Sequence, residues 1–199
     1  MAMCYKNLVN NDGKSILREL RKYGNRQVLK QLVHAFIISR LDYCNCILAG
    51  LPKSLILRLR VQNAAARLIF GLRPRDHVTS ALKQLHWLPV YYQIQYKLCL
   101  LMYSVSYQRC PAYISNMVQS VGTSTHRYGL RSSMCLTYVV PRTHTKLGER
   151  AFSISGPVAW NALPANIRNT ADPIQFKRLL KTYFLLLRFP APHNFLLTL

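Results

Sequence analysis

The sequence predicts a mainly α-helical protein in which short helices pack as helical hairpins over about residues 15–120. A smaller extended or mixed α+β portion follows, and a C-terminal helix closes it. Three observations predict this order: apolar residues recur at helical spacing, Gly and Pro punctuate them at short intervals, and Ser, Thr, Gly and basic residues become frequent after Val121. The corresponding divisions are an unstructured leader (1–14), a helical region (15–120), a mixed segment (121–185) and a tail (186–199).

Two helices are predicted before the first clear turn. A short one covers residues 15–23 and ends at Gly24. A longer one begins near Arg26 and runs to Ala49, with a break around Asp42. Its buried side is expected to carry apolar residues at helical spacing: Leu29, Val33, Phe36, Ile37, Cys44 and Leu48.

The most clearly patterned helix covers residues 52–70, with Gly71 as its C-terminal cap. Its buried face is expected to comprise the apolar residues at i, i+4, i+7, i+8 spacing: Leu57, Val61, Ala64, Ala65, Leu68 and Ile69. The short turn before it predicts an antiparallel pair with the preceding helix. Between these two basic helices, Asp42 is expected to be part-buried and to pair with Arg58 or Arg67, as a structural residue.

A shorter helix is predicted next, capped by Thr79 or Ser80 and stopped by Pro89. At its end, His86 is expected to be a packed histidine, and Trp87 is expected to lie in the core rather than stack on bases. A long apolar stripe at helical spacing then predicts another helix: Ile94, Leu98, Leu101, Met102 and Val105. A last short helix of this region runs to about residue 119.

The mixed segment is predicted to contain two strands, over residues 136–140 and 150–155. In the second, Ala151, Ser153 and Ser155 alternate with Phe152 and Ile154. Gly156 and Pro157 are expected to end the second strand. A single helical turn then carries Trp160 as a core residue. Asp172 is expected to cap the closing helix, whose basic face carries Lys177, Arg178 and Lys181.

Charge is the outstanding feature of the composition. The 199 residues include 27 Lys and Arg against six Asp and Glu, for a net charge of +21, and half of the residues are hydrophobic. Such a chain has enough apolar residues for a core and attracts polyanions, so nucleic acid is the leading partner class. Phosphate contacts are expected at basic residues on helix faces, in a turn and in the mixed segment: Arg58, Arg60, Arg67, Arg73, Arg75, Arg131, Arg142, Lys146 and Arg150. His77, His126 and His144 are weaker candidates in basic or loop contexts. The alternative is that these cations face acidic surfaces of a domain outside this chain.

The cysteine pattern predicts neither a metal site nor a disulfide framework. The six cysteines contain no C-x-x-C pair, and no H-x-x-x-H element lies near Cys44 and Cys46. The expected compartment is therefore reducing and intracellular, cytoplasmic or nuclear. The first residues lack the apolar run of a signal peptide, and no stretch predicts a membrane-spanning helix. The sequence likewise predicts no cofactor and no small-molecule substrate.

Nine blocks of sequence occur in the order that a known family shows. They are SRLDYCN (39–45), GLP (50–52), RVQNAAARLIFG (60–71), DHVTSALKQLHWLPV (76–90), YKLCLLMY (96–103), PAYIS (111–115), YGLRSS (128–133), VPRTHTKLGERAFSISGPVAWNALPANIR (140–168) and FKRLLKTYF (176–184). Over about residues 27–184 the chain thus resembles the C-terminal region of LINE-type non-LTR retrotransposon polyproteins of the jockey-like group.

The resemblance implies a thumb-like helical region that follows the palm of an RNA-directed DNA polymerase, plus a downstream portion. Polymerase chemistry needs converging carboxylates that hold two metal ions, and the family supplies them through an adjacent Asp-Asp pair and a third Asp in the palm. Here no two acids are adjacent. The chain alone is therefore expected to be non-catalytic, with RNA or single-stranded nucleic acid and the missing palm as partners. The alternatives are an inert remnant and a domesticated protein-interaction module.

Overall fold

A computed structural model describes residues 25–43, 45–56, 61–123 and 137–189. Within those residues the fold is mainly α-helical, which confirms the predicted class, and contains no β-strand. Its α-helices are α1 (Arg26–Val33), α2 (Ser39–Tyr43), α3 (Lys53–Ile56), α4 (Val61–Phe70), α5 (Thr79–Gln84), α6 (Val90–Ser106), α7 (Ala112–Ser115), α8 (Phe152–Asn161), α9 (Ala165–Arg168) and α10 (Pro173–Arg188). The predicted leader and the helix over residues 15–23 lie outside the described residues.

The chain divides into two compact units. Unit 1 comprises Met1–Asn45 and Lys53–Val90, and unit 2 comprises Cys46–Pro52 and Tyr91–Leu199. The division falls near residue 90. Within unit 2, α6 packs on the C-terminal helix, far away along the chain, through Tyr103 and Phe176. The boundary expected near residue 120 stays a prediction.

A π-helical turn in unit 1 changes which residues are buried. Asn25 caps α1 by accepting a hydrogen bond from the Gln27 amide at 3.2 Å, and His34–Ile38 then form a π-helix that leads into α2. The wider i→i+5 turn rotates the residues that follow it relative to a regular α-helix. As a result Ile37 and Ile38 are both buried, while Phe36 is 59% exposed. The prediction that Phe36 lies in the core is wrong for this reason.

The α4 face is also displaced by one residue from the prediction. The structure buries Gln62, Ala65, Ala66 and Ile69, while Ala64 is exposed. Gln62 is polar, but its side-chain Nε2 donates to the Leu88 carbonyl at 2.8 Å, and this bond allows its burial. Part of the predicted helix over 52–70 is present as α3 and α4, and residues 57–60 between them lie outside the described residues.

The core of unit 1 joins α1, the π-turn, α2 and α4. Its buried members are Leu29, Val33, Ile37, Ile38, Leu41, Ala65 and Ile69. Trp87 is half-buried and packs against this cluster, and the Arg26 guanidinium lies 4.0 Å from the centre of the Phe70 ring. Both contacts cover the cluster from its edges.

Two helices of unit 1 end in the same way. The Leu72 amide donates to the Arg67 carbonyl at 3.0 Å, and the Trp87 amide donates to the Leu82 carbonyl at 3.0 Å. This six-residue closure needs a positive φ at the residue before the donor. Gly71 supplies it at 68°, as predicted, whereas at the second end His86 supplies it at 52°. His86 is exposed there, so it is not the packed histidine that the sequence predicted.

The core of unit 2 is aromatic. Trp160 on α8 and Phe176 on α10 are fully buried, with ring centres 5.9 Å apart, and Phe176 stacks on Tyr103 of α6 at 4.2 Å. The Tyr103 hydroxyl donates to the Ala171 carbonyl, and the Tyr107 hydroxyl donates to the Thr170 carbonyl at 3.1 Å. These contacts hold the segment before α10 against α6.

The predicted strand over residues 150–155 is wrong, because α8 begins within it at Phe152. Gly156 and Pro157 are buried inside that helix instead of ending an extended segment. A Cβ atom at Gly156 would lie 2.9 Å from the Met102 sulfur and 2.9 Å from a Phe152 ring carbon, so the glycine permits close packing on α6. This tertiary contact outweighs the local tendency of Gly-Pro to end an element.

The predicted strand over 136–140 is reduced to one antiparallel bridge between Ser120 and Tyr138 within the described residues. On its other side the Tyr138 backbone pairs with a side chain. Its amide donates to Asn161 Oδ1 at 3.0 Å, and Asn161 Nδ2 donates to its carbonyl at 2.8 Å. Because the Asn161 amide takes the place of a neighbouring strand, this backbone needs no sheet. Residue 136 lies outside the described residues.

The closing helix, α10, begins as predicted. The Asp172 carboxylate accepts from the Ile174 amide at 3.2 Å and from the Gln175 amide at 2.9 Å, and Pro173 occupies the first turn. The helix buries Phe176, Leu180 and Phe184. It runs to Arg188, three residues beyond the predicted end of the mixed segment at 185, and residues 190–199 lie outside the described residues.

Candidate nucleic-acid interface

The acids that the structure describes are used mainly in local structure. Asp172 caps α10 through two backbone amides, and the Asp76 carboxylate accepts from the Arg73 amide at 2.7 Å inside a turn. Asp42 accepts from the Asn45 side chain at 3.0 Å. Glu149 is exposed in a 3₁₀ turn over Gly148–Arg150. Most of these carboxylates therefore satisfy nearby N–H groups.

Asp42 does not occupy the position that the sequence predicted. It is exposed rather than part-buried. Arg67, one of its two expected partners, directs its guanidinium Nη2 to the Asp76 carbonyl at 3.2 Å. Arg58, the other, lies outside the described residues. The side-chain bond to Asn45, three residues along the chain, gives Asp42 a local structural contact.

Two of the predicted phosphate-binding residues, Arg67 and Arg150, make structural contacts. Both are half-buried. Arg150 Nη2 donates to the Ile47 carbonyl at 3.3 Å, and a Cβ atom at Gly50 would lie 2.7 Å from the Arg150 Cγ. In both arginines the Nε atom is buried and finds no hydrogen-bond partner among the described residues. These guanidinium groups join separate segments of their own unit and are only partly open to solvent.

Four predicted residues are exposed to solvent. Arg73 and Arg75 are exposed in the turn that follows α4 in unit 1, beside the exposed His77. Arg142 and Lys146 are exposed in the segment before α8 in unit 2, on either side of the exposed His144. The remaining candidates, Arg58, Arg60, Arg131 and His126, lie outside the described residues.

The sequence prediction left out a further group of cations on α10. We call them the basic flank of α10: Lys177, Arg178, Lys181 and Arg188, all of them exposed. At about 100° per residue, Lys177, Lys181 and Arg188 lie within about 40° of one another around the helix. The helix contains no acid along Pro173–Arg188. The spacing of three of these cations was visible in the sequence, where they formed the basic face of a helix and were not counted as binding residues.

Neither tryptophan presents a free ring for stacking on a base. Trp160 is fully buried against Phe176, and Trp87 is half-buried on the core of unit 1, next to the half-buried Pro89. The core positions expected for both rings therefore match their contacts.

Three titratable groups in unit 2 have pKa values raised mainly by burial. Burial raises the pKa of the Cys99 thiol to about 12, and its sulfur lies 3.7 Å from the Ala159 carbonyl. A thiol with that pKa stays protonated at neutral pH, so Cys99 behaves as a small core residue. Burial also raises the pKa values of Tyr103 and Tyr138. Among the described residues, His, Cys, Asp and Glu side chains form no group of three or more that could hold a metal ion.

Within the described part of the chain, every helix is too short or too polar to cross a membrane. No protein-family model matches the sequence, and no curated protein or solved structure matches it either. The contacts and charges of the chain's own residues therefore carry the functional proposal.

Proposed function

We propose that this chain binds RNA or other single-stranded nucleic acid without sequence preference. The observation that carries the proposal is the basic flank of α10, where four exposed cations share a helix that contains no acid. The nearest acid before it, Asp172, is held at the helix start by two backbone amides. A phosphate backbone is the partner that best fits a row of cations of this kind.

Electrostatic attraction explains binding but does not select a base sequence. The net charge of +21 favours association with any polyanion, and the exposed Arg73, Arg75, Arg142 and Lys146 add to the cations of α10. Recognition of a particular sequence would need side chains that reach base edges. Stacking on aromatic rings adds affinity without selecting a base, and both tryptophans pack on the cores, so the support for binding is electrostatic and sequence-independent.

We further propose that the chain is a non-catalytic C-terminal segment of a LINE-type retrotransposon polyprotein, whose parent would be an RNA-directed DNA polymerase. The support is the co-linear resemblance over about residues 27–184. On this proposal the missing palm domain would supply the metal-binding carboxylates and would be a second partner. Purified chain incubated with primer, template, nucleotides and Mg²⁺ is expected to give no primer extension, and extension would contradict the non-catalytic part of the proposal.

The alternatives are an inert retroelement remnant and a domesticated protein-interaction module without a nucleic-acid role. The second is favoured by exposed apolar side chains in unit 2, among them Ile47, Met117 and Leu147. Binding of nucleic acid would separate the main proposal from both alternatives.

Fluorescence anisotropy of a labelled single-stranded oligouridylate, titrated with the full chain at rising salt, tests the proposal. The association constant is expected to fall steeply, with a slope of log K against log salt of about −0.7 for each phosphate neutralised. An oligoadenylate of the same length is expected to bind with the same affinity within a few-fold. Absence of binding at low salt, or a flat salt dependence, would refute the proposed function.

A further inference from the structure

Unit 2 contains an open apolar groove of about 520 Å³. Its lining includes the buried or half-buried Leu98 and Leu101 of α6 and Phe152 of α8, together with three exposed residues that we call its rim, Ile47, Met117 and Leu147. The apolar groove, as defined by these six residues, thus draws on separate parts of the unit. The Cys46 thiol and the Arg150 side chain also line it.

The rim residues are unusually exposed for apolar side chains. Ile47 is 50% exposed, Met117 is 52% exposed and Leu147 is 73% exposed. Single exposed apolar residues are ordinary on a protein surface, but here three of them line the same groove. Sites for small molecules usually enclose most of their ligand. A groove with so open a rim better fits an elongated partner that is covered on one side only.

The charges beside the groove favour an acidic occupant. The segment over residues 142–150 contains three cations, Arg142, Lys146 and Arg150, against the single acid Glu149. Lys146 is exposed and adjoins Leu147 of the rim, while Arg150 contacts the Ile47 carbonyl. A second copy of the chain would bring another +21 charge and be repelled. An acidic partner, in contrast, would be attracted to these cations.

We propose that the apolar groove binds one amphipathic, acidic helix of a partner protein. Apolar residues of that helix at i, i+3 or i+4, and i+7 enter the groove between Met117 and Leu147, and a carboxylate beside them faces Lys146. Helices commonly dock in apolar grooves in this way. The six residues that define the groove are not among the cations of the nucleic-acid proposal, so the inference does not rest on that proposal; Lys146 is the cation that the two share.

The probe for this proposal is a synthetic peptide of leucine and glutamate. It has about 18 residues and is about 27 Å long as a helix. Its leucines follow the i, i+3, i+4, i+7 pattern, and a scrambled peptide of the same composition is the control for charge alone. Titration calorimetry with the full chain is expected to show at least tenfold tighter binding of the patterned peptide.

Alkylation of Cys46 by iodoacetamide, measured residue by residue by mass spectrometry, reports occupancy of the groove itself. Cys46 and Cys110 are both free and half-buried, but only Cys46 is among the residues that line the groove. The patterned peptide is expected to slow alkylation of Cys46 several-fold and to leave Cys110 unchanged. Equal effects of the two peptides, or an unprotected Cys46, would overturn the proposal. Protection by laurate but not by the peptide would assign the groove to an acyl chain and overturn it as well.

Substitutions at the rim supply an independent control, because exposed positions tolerate a polar residue without unfolding. Leu147→Gln and Met117→Gln are each expected to weaken binding of the patterned peptide about tenfold, because each removes apolar area that docking would bury. Val158→Gln is the matched variant, at a position that is 51% exposed and is not among the groove-lining residues. It is expected to leave affinity unchanged, and an equal loss in all three variants would refute docking in the groove.

Discussion

Replacement of Phe176 by alanine tests the aromatic core that holds α10 in place. The Phe176 ring is fully buried, stacks on Tyr103 at 4.2 Å with an interplanar angle of 20°, and lies 5.9 Å from Trp160. Truncation of a buried phenylalanine costs about 3–5 kcal/mol, and the loss of favourable aromatic pairs contributes to that cost. For a chain of this size, we therefore expect the midpoint of thermal unfolding to fall by about 10 °C.

Circular dichroism during heating and during urea titration measures the change. Phe176→Leu keeps most of the apolar volume, so it is expected to cost about 1.5 kcal/mol or less. Ile174→Ala, at a position on the same helix that is 71% exposed, is expected to change stability by about 0.5 kcal/mol or less. If Phe176→Ala lowered stability as little as Ile174→Ala, the packing of α10 on Tyr103 and Trp160 would be refuted. A wild-type chain without any cooperative transition would instead favour the inert remnant.

Three further predictions concern stability. Asp172→Ala is expected to lower the free energy of unfolding in urea by about 1 kcal/mol, because two amides of α10 lose their acceptor. Asp172→Asn keeps a capping oxygen and should lower it clearly less. Equal losses in the two variants would contradict the cap. Gly156→Ala is expected to cost about 1–3 kcal/mol, since the new methyl group would lie 2.9 Å from the Met102 sulfur, and a neutral thermal melt would disprove this contact. The pKa of Cys99 is raised from 9.0 to about 12, so above pH 9 the unfolded thiol loses its proton before the folded one. Stability should therefore fall as the pH rises from about 9 towards 12, less steeply in Cys99→Ala; identical pH profiles would show that Cys99 makes no such contribution.

The helical class and several helix ends could be predicted because their signals are local. Gly71 provides the positive φ that a helix end requires, and Asp172 with Pro173 marks the start of α10. Each of these residues acts on backbone groups within a few positions along the chain. A single sequence is sufficient for such contacts.

The errors in the fold arise where distant residues or an irregular helical turn decide the outcome. Gly156 and Pro157 indicate a break by local rules, yet α8 continues through them because Gly156 packs closely on Met102. Phe36 fits a regular α-helical stripe, yet a π-turn rotates it into solvent. The burial of Gln62 likewise depends on the Leu88 carbonyl, 26 residues away.

The candidate interface could be predicted in part, for a related reason. The sequence identifies which residues are cations, but it does not show which of their N–H groups are already used. Arg67 and Arg150 donate to backbone carbonyls of their own units, whereas Arg73, Arg75 and the basic flank of α10 are exposed. The flank was visible as a charge pattern in the sequence, but that its cations are exposed depends on how α10 packs.

The most direct test of the central claim compares two variants that lose the same charge. Lys177→Gln/Arg178→Gln/Lys181→Gln removes three cations from the basic flank of α10, and Arg40→Gln/Lys83→Gln/Arg109→Gln removes three exposed cations from separate elements. If the flank contacts phosphates, the first variant should make the slope of log K against log salt for oligouridylate shallower by about 2. The second variant should change that slope much less. Equal slopes in the two variants, both close to that of the unmutated chain, would contradict binding through α10.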